Sequence, residues 1–400
     1  MKSEIPKVLH PLCGKPMLAY VLDLAKDLKL RNTLVVVGHK KELLKDLLNE
    51  YKVKMIHQDK LLGTADALRR AQNALKNFSG NVLVLYGDQP LLRKETLKTL
   101  TQKHLDTNAC ATILTANLAN PCGYGRIIRD NYARIIAIVE DKEATAAQKS
   151  ITEINTGIIC FKKGALFKAI AKIRPDNAKK EYYLTDAIKI MAGEGLAIES
   201  LCISDDVQEA QGINSRQDLA QAQRTIRLRI LDYFMTQGVS IMDPDTTTIE
   251  CGCKIGQDTV IYPFTVIEKG VKIGKFCSIG PFCHLRPQTI IKAGAIIGNF
   301  TETVRCAIGE GTLMKHFSYL GDTFVGNRVN IGCGTVTANF DGQKKLKTVI
   351  GDGAFIGSDT VLRAPVKVGK KAITGAGAVV TKDVKAGQVV VGVPARPLKK

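Results

Sequence analysis

The chain has 400 residues, enough for two to four domains, and 57 Lys+Arg against 38 Asp+Glu give a formal charge of +19. A composition of 45% hydrophobic and 24% charged residues excludes a disordered or fibrous chain. No apolar run approaches the roughly 20 residues of a membrane span, and Met1–Lys7 lacks the apolar stretch of a secretory signal. Eleven scattered cysteines without a CxxC point to reduced thiols in the cytoplasm, and six histidines show no metal-ligand spacing. So basic a chain calls for anionic partners. Its cations are spread along the chain, with no Trp for base stacking. Small phosphorylated metabolites are therefore expected, not nucleic acid, and no membrane insertion.

Residues 1–225 alternate apolar strands with amphipathic helices. Leu34–Gly38, Val82–Tyr86 and Ala111–Leu114 look like buried parallel strands, and Lys15–Leu28, Lys41–Tyr51 and Thr64–Asn77 look helical. Strand and helix in alternation argue an α/β, Rossmann-like domain, with ligands outside the carboxyl ends of the strands. The loop after Val82–Tyr86 carries Gly87 and Asp88 at that end. Residues 216–237 form one long helical pattern stopped by Gly238.

From Lys254 the texture changes. Branched apolar residues recur every sixth position at Ile255, Ile261, Ile267, Ile273, Ile279, Leu285, Ile291 and Ile297. The ladder resumes at Val325 and Ile331, and again at Ile350, Ile356, Leu362, Val368, Thr374 and Val380. Such hexads predict a parallel β-helix whose branched side chains stack inward, coil on coil. The ladder breaks at Thr303–Phe324 and Gln343–Val349, and interrupting loops are expected on the binding face. The expected organisation is a nucleotidyltransferase domain over 1–215, a linker helix over 216–240 and a β-helix over 241–400 with a basic tail at Arg396–Lys400.

Across nearly its whole length the sequence resembles the bifunctional N-acetylglucosamine-1-phosphate uridylyltransferases and glucosamine-1-phosphate N-acetyltransferases. The matching stretches include IPKVLH at Ile5–His10, LGTADA at Leu62–Ala67, YGDQPL at Tyr86–Leu91, PCGYGRI at Pro121–Ile127, EINTG at Glu153–Gly157 and GINSR at Gly212–Arg216. In the second half they include GPFCHLRP at Gly280–Pro287, KHFSYLGD at Lys315–Asp322, ANFDG at Ala338–Gly342 and GSDT at Gly357–Thr360. Their order and their union with the hexads carry the resemblance.

The resemblance implies a left-handed β-helix, a homotrimer with active sites between subunits, and synthesis of UDP-N-acetylglucosamine for the cell envelope. Acetyl-CoA and UTP are its co-substrates. In the first half it implies Mg²⁺ on Asp88 and Asn214, and Lys7 facing phosphate oxygens. Gln58, Gly63 and Thr64 would read the uracil, beside Tyr86 and Gly87. Gly125, Glu140, Asn155 and Thr185 would hold the amino-sugar phosphate. In the second half it implies His316 as general base, which an imidazole titrating near neutrality can be. Glu302 would orient His316 or the amine. Arg286, Tyr319 and Asn330 would bind the acceptor. Cys333, Asn339, Phe340, Ser358 and Ala376 would line acetyl-CoA, with Lys344, Lys345 and Lys347 near its phosphates.

Departures from the family pattern have consequences. The family opens with a strand and a Gly-rich phosphate loop ending in an Arg-Met pair, and Met1 falls on that Met. A truncated reading frame is expected, with little pyrophosphate release from UTP by these 400 residues. Leu61 replaces a Gln and Phe340 a Tyr. Val304 stands where the family has a phosphate-binding Lys, and the adjacent Arg305 is expected on the opposite face if the chain is extended there. Gly392 lies where an Arg meets CoA, with Arg396 as a substitute. Cys251 and Cys253 are expected to be structural, and Cys283 and Cys333 oxidation-sensitive. Two alternatives stay open: acetyl transfer alone on a degenerate first half, and a non-enzymatic regulatory subunit of similar architecture.

Overall fold

A computed structural model describes residues 1–177, 179–203 and 206–398. The chain divides into two compact units, one of Met1–Leu12 and Pro16–Ala222 and one of Cys13–Lys15 and Gln223–Lys400. The division between the two units falls inside the helix Arg216–Thr236. The last two residues of the basic tail lie outside the described residues.

The first unit is built on a six-stranded mixed sheet. Glu153–Lys162 lies at its centre and runs antiparallel to both Asn81–Val84 and Ala111–Asn117. Ile198–Ile203 adds parallel to Ala111–Asn117, and Arg126–Arg129 with Ile135–Val139 adds a hairpin. Leu34–Val37 pairs parallel with Lys54–His57 in a separate sheet. Asn81–Val84 and Ala111–Asn117 thus share a direction, with an antiparallel strand between them that the sequence reading did not name. Glu153–Lys162 buries one face at Ile154, Thr156, Ile158 and Cys160 and both faces only over Ile158–Phe161, and Asn155, Thr156 and Gly157 interrupt its apolar residues. Its Gly157, at φ 88°, sits in a bulge where the register to Ala111–Asn117 shifts. A Cβ there would stand 2.7 Å from the Tyr86 ring, so glycine lets the strand pass close over Tyr86.

The second unit is a parallel β-helix with three columns of strands, beginning at Ser240–Ile241 and Thr248–Ile249, one turn earlier than the ladder legible in the sequence. Ile261, Ile267, Ile279, Leu285, Ile297, Met314, Leu320, Val325, Ile350, Ile356 and Leu362 form one continuous buried core. Each such side chain contributes roughly 1.5–3 kcal/mol by leaving water. Buried Thr259 spans two coils: its Oγ1 donates to Gly274 O at 2.8 Å and accepts from Cys277 N at 3.1 Å.

The two breaks in the ladder have different origins. Ile290 pairs with Ala307 and Ala307 with Phe324, so these two coils are 17 residues long where the neighbours are 18. Each of the two coils loses one residue at a corner, and the solenoid continues. The expected loop over Thr303–Phe324 does not exist, and His316 lies on the strand Leu313–Gly321. At the second break Phe324 pairs with Val349, a coil of 25 residues. Its excess is a true excursion, closed by a bridge between Phe340 and Lys345.

Cys277, Cys283 and Cys306 of this unit are buried packing groups. Cys283 Sγ donates to Gly298 O at 2.7 Å and lies 3.0 Å from Thr301 Oγ1, and burial pushes its thiol up to about 11. Burial likewise pushes Cys306 up to about 11. The expected oxidation sensitivity of Cys283 is therefore overturned. Since the folded pKa lies above the unfolded value, folding favours the protonated thiol. Stability falls as pH rises from the ordinary thiol range near 9 toward 11. Iodoacetamide at about pH 8 is expected to modify exposed Cys122, Cys202 and Cys333 and to spare Cys283 and Cys306. Peptide mass mapping checks this, and fast alkylation of native Cys283 would contradict it.

Candidate active sites

In the first unit the strand Asn81–Val84 leads into Tyr86, Gly87 and Asp88. Ile213 N donates to Asp88 O at 3.0 Å, which ties this loop to the entry of helix Arg216–Thr236. That entry is a reciprocal cap. Ser215 Oγ accepts from Asp218 N at 3.0 Å, and the Asp218 carboxylate accepts from Ser215 N at 2.8 Å and Asn214 N at 2.9 Å. Burial pushes Asp218 up, but the N–H groups of Asn214 and Ser215 outweigh it and hold the carboxyl below its usual range. The cap fixes Asn214. Lys7 Nζ then donates to Asp88 Oδ2 at 2.5 Å and to Asn214 Oδ1 at 2.9 Å. A carboxylate and an amide oxygen therefore converge on one cation. Two hard oxygens, one of them anionic, fit Mg²⁺, which keeps waters and completes its octahedron from substrate phosphates. Among the described residues no cluster of three or more His, Cys, Asp or Glu offers a fuller cage.

The other expected residues of this unit fall into linked groups around the same loop. Tyr182 N donates to Leu62 O at 2.7 Å and Ala65 N to Tyr182 O at 3.0 Å, so segment 62–65 runs against 182–184. Gly63 has φ 105°, and a Cβ there would stand 2.5 Å from Tyr182 O. Thr64 Oγ1 accepts from Leu184 N at 3.1 Å and bonds the Tyr86 hydroxyl, whose burial pushes it up to about 12. Gln58 is buried and gives its amide to Asp66 Oδ2 at 2.9 Å and Gly63 O at 3.2 Å. Gln58 thus holds the Gly63 turn with the same NH₂ that was expected to face a base. Asn155 N donates to Gly125 O at 2.8 Å, and Thr185 Oγ1 donates to Glu140 Oε1 at 2.9 Å. Burial pushes Glu140 above the usual carboxylate range. Sequence reasoning did not find Tyr182 or Asp218. Tyr182 acts through its backbone, and Asp218 shows only as the fourth residue of Ser215-x-x-Asp218.

In the second unit the register gathers the expected residues. Ile297, Met314, Ile331, Ile356 and Thr374 are paired coil to coil. Two residues beyond each lie Asn299, His316, Cys333, Ser358 and Ala376, which therefore line one corner of the prism. His316 is exposed on that corner, opposite Asn299. The face after this corner carries His284, Glu302 and Tyr319, paired in register. Arg286 Nη1 donates to Glu302 Oε1 at 2.9 Å, and Arg286 Nε lies 4.0 Å from Glu268 Oε1. Glu268 Oε1 is also 2.6 Å from His284 Nε2.

The next corner differs from expectation. The strand Ile296–Val304 buries Val304 and ends there, and Arg305 turns left-handed at φ 52°. The extended alternation that would send Arg305 to the opposite face does not apply. Its guanidinium grips Asp322 at 2.6 and 2.7 Å, and Asn339 Nδ2 donates to Asp322 Oδ2 at 2.6 Å. A Cβ on Gly321 would stand 2.4 Å from Asn339 Nδ2 and 2.6 Å from Tyr319 Oη, so the two polar groups meet above that glycine. Asn330 lies on the far side of the His316 corner, between Leu313 and Phe355. Lys345 Nζ sits 4.3 Å from the centroid of Phe340, so the Tyr-to-Phe change keeps a cation on the ring.

Comparison with known proteins agrees with both halves. Residues 2–206 match the nucleotidyl transferase family, and residues 270–303 and 347–382 match the bacterial transferase hexapeptide family. The bifunctional protein GlmU of Shouchella clausii is 42% identical over 96% of this chain and 91% of its own length. That of Syntrophotalea carbinolica is 43% identical over 96% and 90%, and that of Desulfitobacterium hafniense 40% over 98% and 93%.

The chain belongs to the GlmU family. It is a bifunctional transferase with a nucleotidyltransferase unit followed by a hexapeptide acetyltransferase unit. Against that family's pattern, Arg305 is the residue sequence reasoning misplaced, and Asp322, inside the quoted KHFSYLGD, is its unrecognised partner. In this GlmU chain a guanidinium stands one residue beyond Val304, clamped at the corner beside Asn339.

Proposed function

We infer that the two units carry successive steps of UDP-N-acetylglucosamine synthesis: acetylation of glucosamine 1-phosphate on the β-helix, then uridylyl transfer to the product on the first unit. The observation that carries this reading is the corner line of His316, Cys333, Ser358 and Ala376 beside a face bearing Arg286, Glu302 and Tyr319. Acetyl-CoA runs along the corner, with Asn339, Phe340 and the Lys344–Lys347 excursion near its phosphates. Arg286 takes the sugar phosphate, since a guanidinium fork matches phosphate oxygens in pairs. Arg305 lies on the same side and adds positive charge where Val304 supplies none.

The chemistry then balances as follows. His316 removes the proton from the sugar amine as nitrogen attacks the thioester carbonyl. The N–C bond forms, the C–S bond breaks, and coenzyme A leaves as the thiol with a proton. Glu302, already held by Arg286, orients the amine. Thiol release from acetyl-CoA should therefore require glucosamine 1-phosphate, and release that ignores the sugar would overturn the reading.

In the first unit Asp88 and Asn214 hold Mg²⁺, which neutralises charge on the nucleotide phosphates when bound. Lys7 moves from these two groups to phosphate oxygens, and Gly63 and Thr64 approach the nucleobase. Without nucleotide, Lys7 competes with the metal. Its pair with Asp88 is part-exposed, so the competition is modest, about three- to fivefold. Lys7→Met is expected to tighten Mg²⁺ binding by that factor in calorimetric titration, and Asp88→Asn to abolish it. Unchanged Mg²⁺ binding in Asp88→Asn would remove this metal assignment.

Self-association has its own support. Phe264, Phe282 and Phe300 stack face to face on successive coils, with centroids 4.8 and 5.1 Å apart, and all three are exposed. An exposed aromatic ladder of this kind is the mark of an interface. A homotrimer through the β-helix covers it.

A further inference from the structure

The charge of +19 exceeds what two phosphate-binding sites need, and the end of the β-helix concentrates the surplus. Residues 363–398 hold seven basic side chains, Arg363, Lys367, Lys370, Lys371, Lys382, Lys385 and Arg396, against one acidic, Asp383. All seven are exposed. The register brings five of them together. Ile350 pairs with Val368, Val368 bridges to Val384, and Ile373 pairs with Val389, so 367–371 lies directly against 383–387. Lys367, Lys370, Lys371, Lys382 and Lys385 thus share two adjacent coils, about 4.8 Å apart.

None of the five takes part in an ion pair among the described residues. Two carboxylates on these and the preceding coil accept from backbone: Asp383 Oδ1 from Lys367 N at 2.8 Å, and Asp352 Oδ1 from Asn327 N at 2.8 Å. Beside the lysines the solenoid ends in an exposed apolar tip. Leu398 N donates to Val389 O at 3.0 Å, which sets Leu398 just past the Lys385 corner, 57% exposed. Val393, in the turn of the closing hairpin, is 73% exposed.

We propose that this end of the β-helix docks on an anionic lipid bilayer, the lysines against the headgroups and Val393 and Leu398 in the interfacial layer. Charge complementarity selects an anionic surface. The apolar tip selects lipid over a nucleic acid or free polyphosphate, which offer it nothing to enter. No helix among the described residues is long and apolar enough to cross a membrane, so the attachment is peripheral and salt-sensitive.

Each lysine near an anionic surface contributes roughly fivefold in partition. The test is sedimentation of the full chain with vesicles of phosphatidylglycerol and phosphatidylcholine, against phosphatidylcholine alone. The expected result is binding to the anionic vesicles that falls at least about a hundredfold in K367E/K370E/K371E/K385E. It should also fall severalfold in V393S/L398S, with the urea unfolding midpoint kept in both as evidence of folding. Three results would overturn the proposal: no preference for anionic vesicles, undiminished binding by the charge-reversed chain, or loss of binding to duplex DNA and to vesicles in equal measure with no effect of V393S/L398S.

Discussion

Replacing His316 with Ala is expected to lower kcat for thiol release from acetyl-CoA by about 10²- to 10⁴-fold, with KM for acetyl-CoA little changed. The size follows from the role. The amine must lose a proton as it attacks, and His316 is the imidazole on the corner line with Cys333, Ser358 and Ala376. The ring is exposed and bears on no core contact, so the substitution leaves folding intact. His316→Asn keeps polarity without basicity and should fall with Ala. A variant that lost KM and kept kcat would assign His316 to binding. Raising pH should partly rescue His316→Ala, because more of the amine is then deprotonated by solvent; no rescue would count against proton removal as its task.

Gly298→Ala is expected to destabilise the β-helix by about 3 kcal/mol or more, whereas Gly377→Ala costs about 1 kcal/mol. The contrast separates two reasons for glycine. At Gly298 a Cβ would stand 1.8 Å from Lys315 O and 2.8 Å from Lys315 Cα, both backbone atoms of the next coil. Nothing flexible can give way, so the coils must part, and they part between Asn299 and His316. Gly377 has φ 70° with open space around its Cβ, so alanine there meets only the left-handed conformational cost. Urea unfolding with acetyltransferase activity as a second readout checks both. Equal costs would mean that coil contact does not set the Gly298 requirement. A Gly298→Ala chain with full stability and activity would contradict the stacking of these two strands.

The β-helix was legible because its period is short, repeated and buried at one phase; Ile255 to Ile297 alone defines it. Its misreading has a definite cause. A coil shortened by one residue shifts the phase of everything after it, so Cys306 to Phe324 looks like a loop although Ile308, Met314 and Leu320 continue the core. The inserted excursion at 340–347 was read correctly because seven extra residues cannot hide at a corner. Arg305 was misplaced by a local rule. Side-chain alternation holds within a strand, and the strand stops at Val304.

In the first unit the chemistry-bearing loop at Asp88 was readable from its place after an apolar strand. The contacts that shape it were not. Tyr182 against Gly63, Ile213 against Asp88 and Asn214 against Lys7 join segments that are distant in the sequence, through backbone groups or a single side chain. No composition or spacing marks them. The antiparallel centre at Glu153–Lys162 was hidden for a related reason, since Asn155, Thr156 and the bulge at Gly157 interrupt its apolar residues.

The central claim is that an imidazole on the corner of a stacked coil takes the proton from a sugar amine as acetyl-CoA acylates it. Incubation with trideuterated acetyl-CoA and glucosamine 1-phosphate, followed by mass spectrometry of the sugar, tests it most directly. The account predicts a single labelled acetyl group in amide linkage on nitrogen, formed in proportion to released thiol and slowed at least about a hundredfold with His316→Ala. Thiol release with an unlabelled sugar, or label on a hydroxyl oxygen, would contradict it.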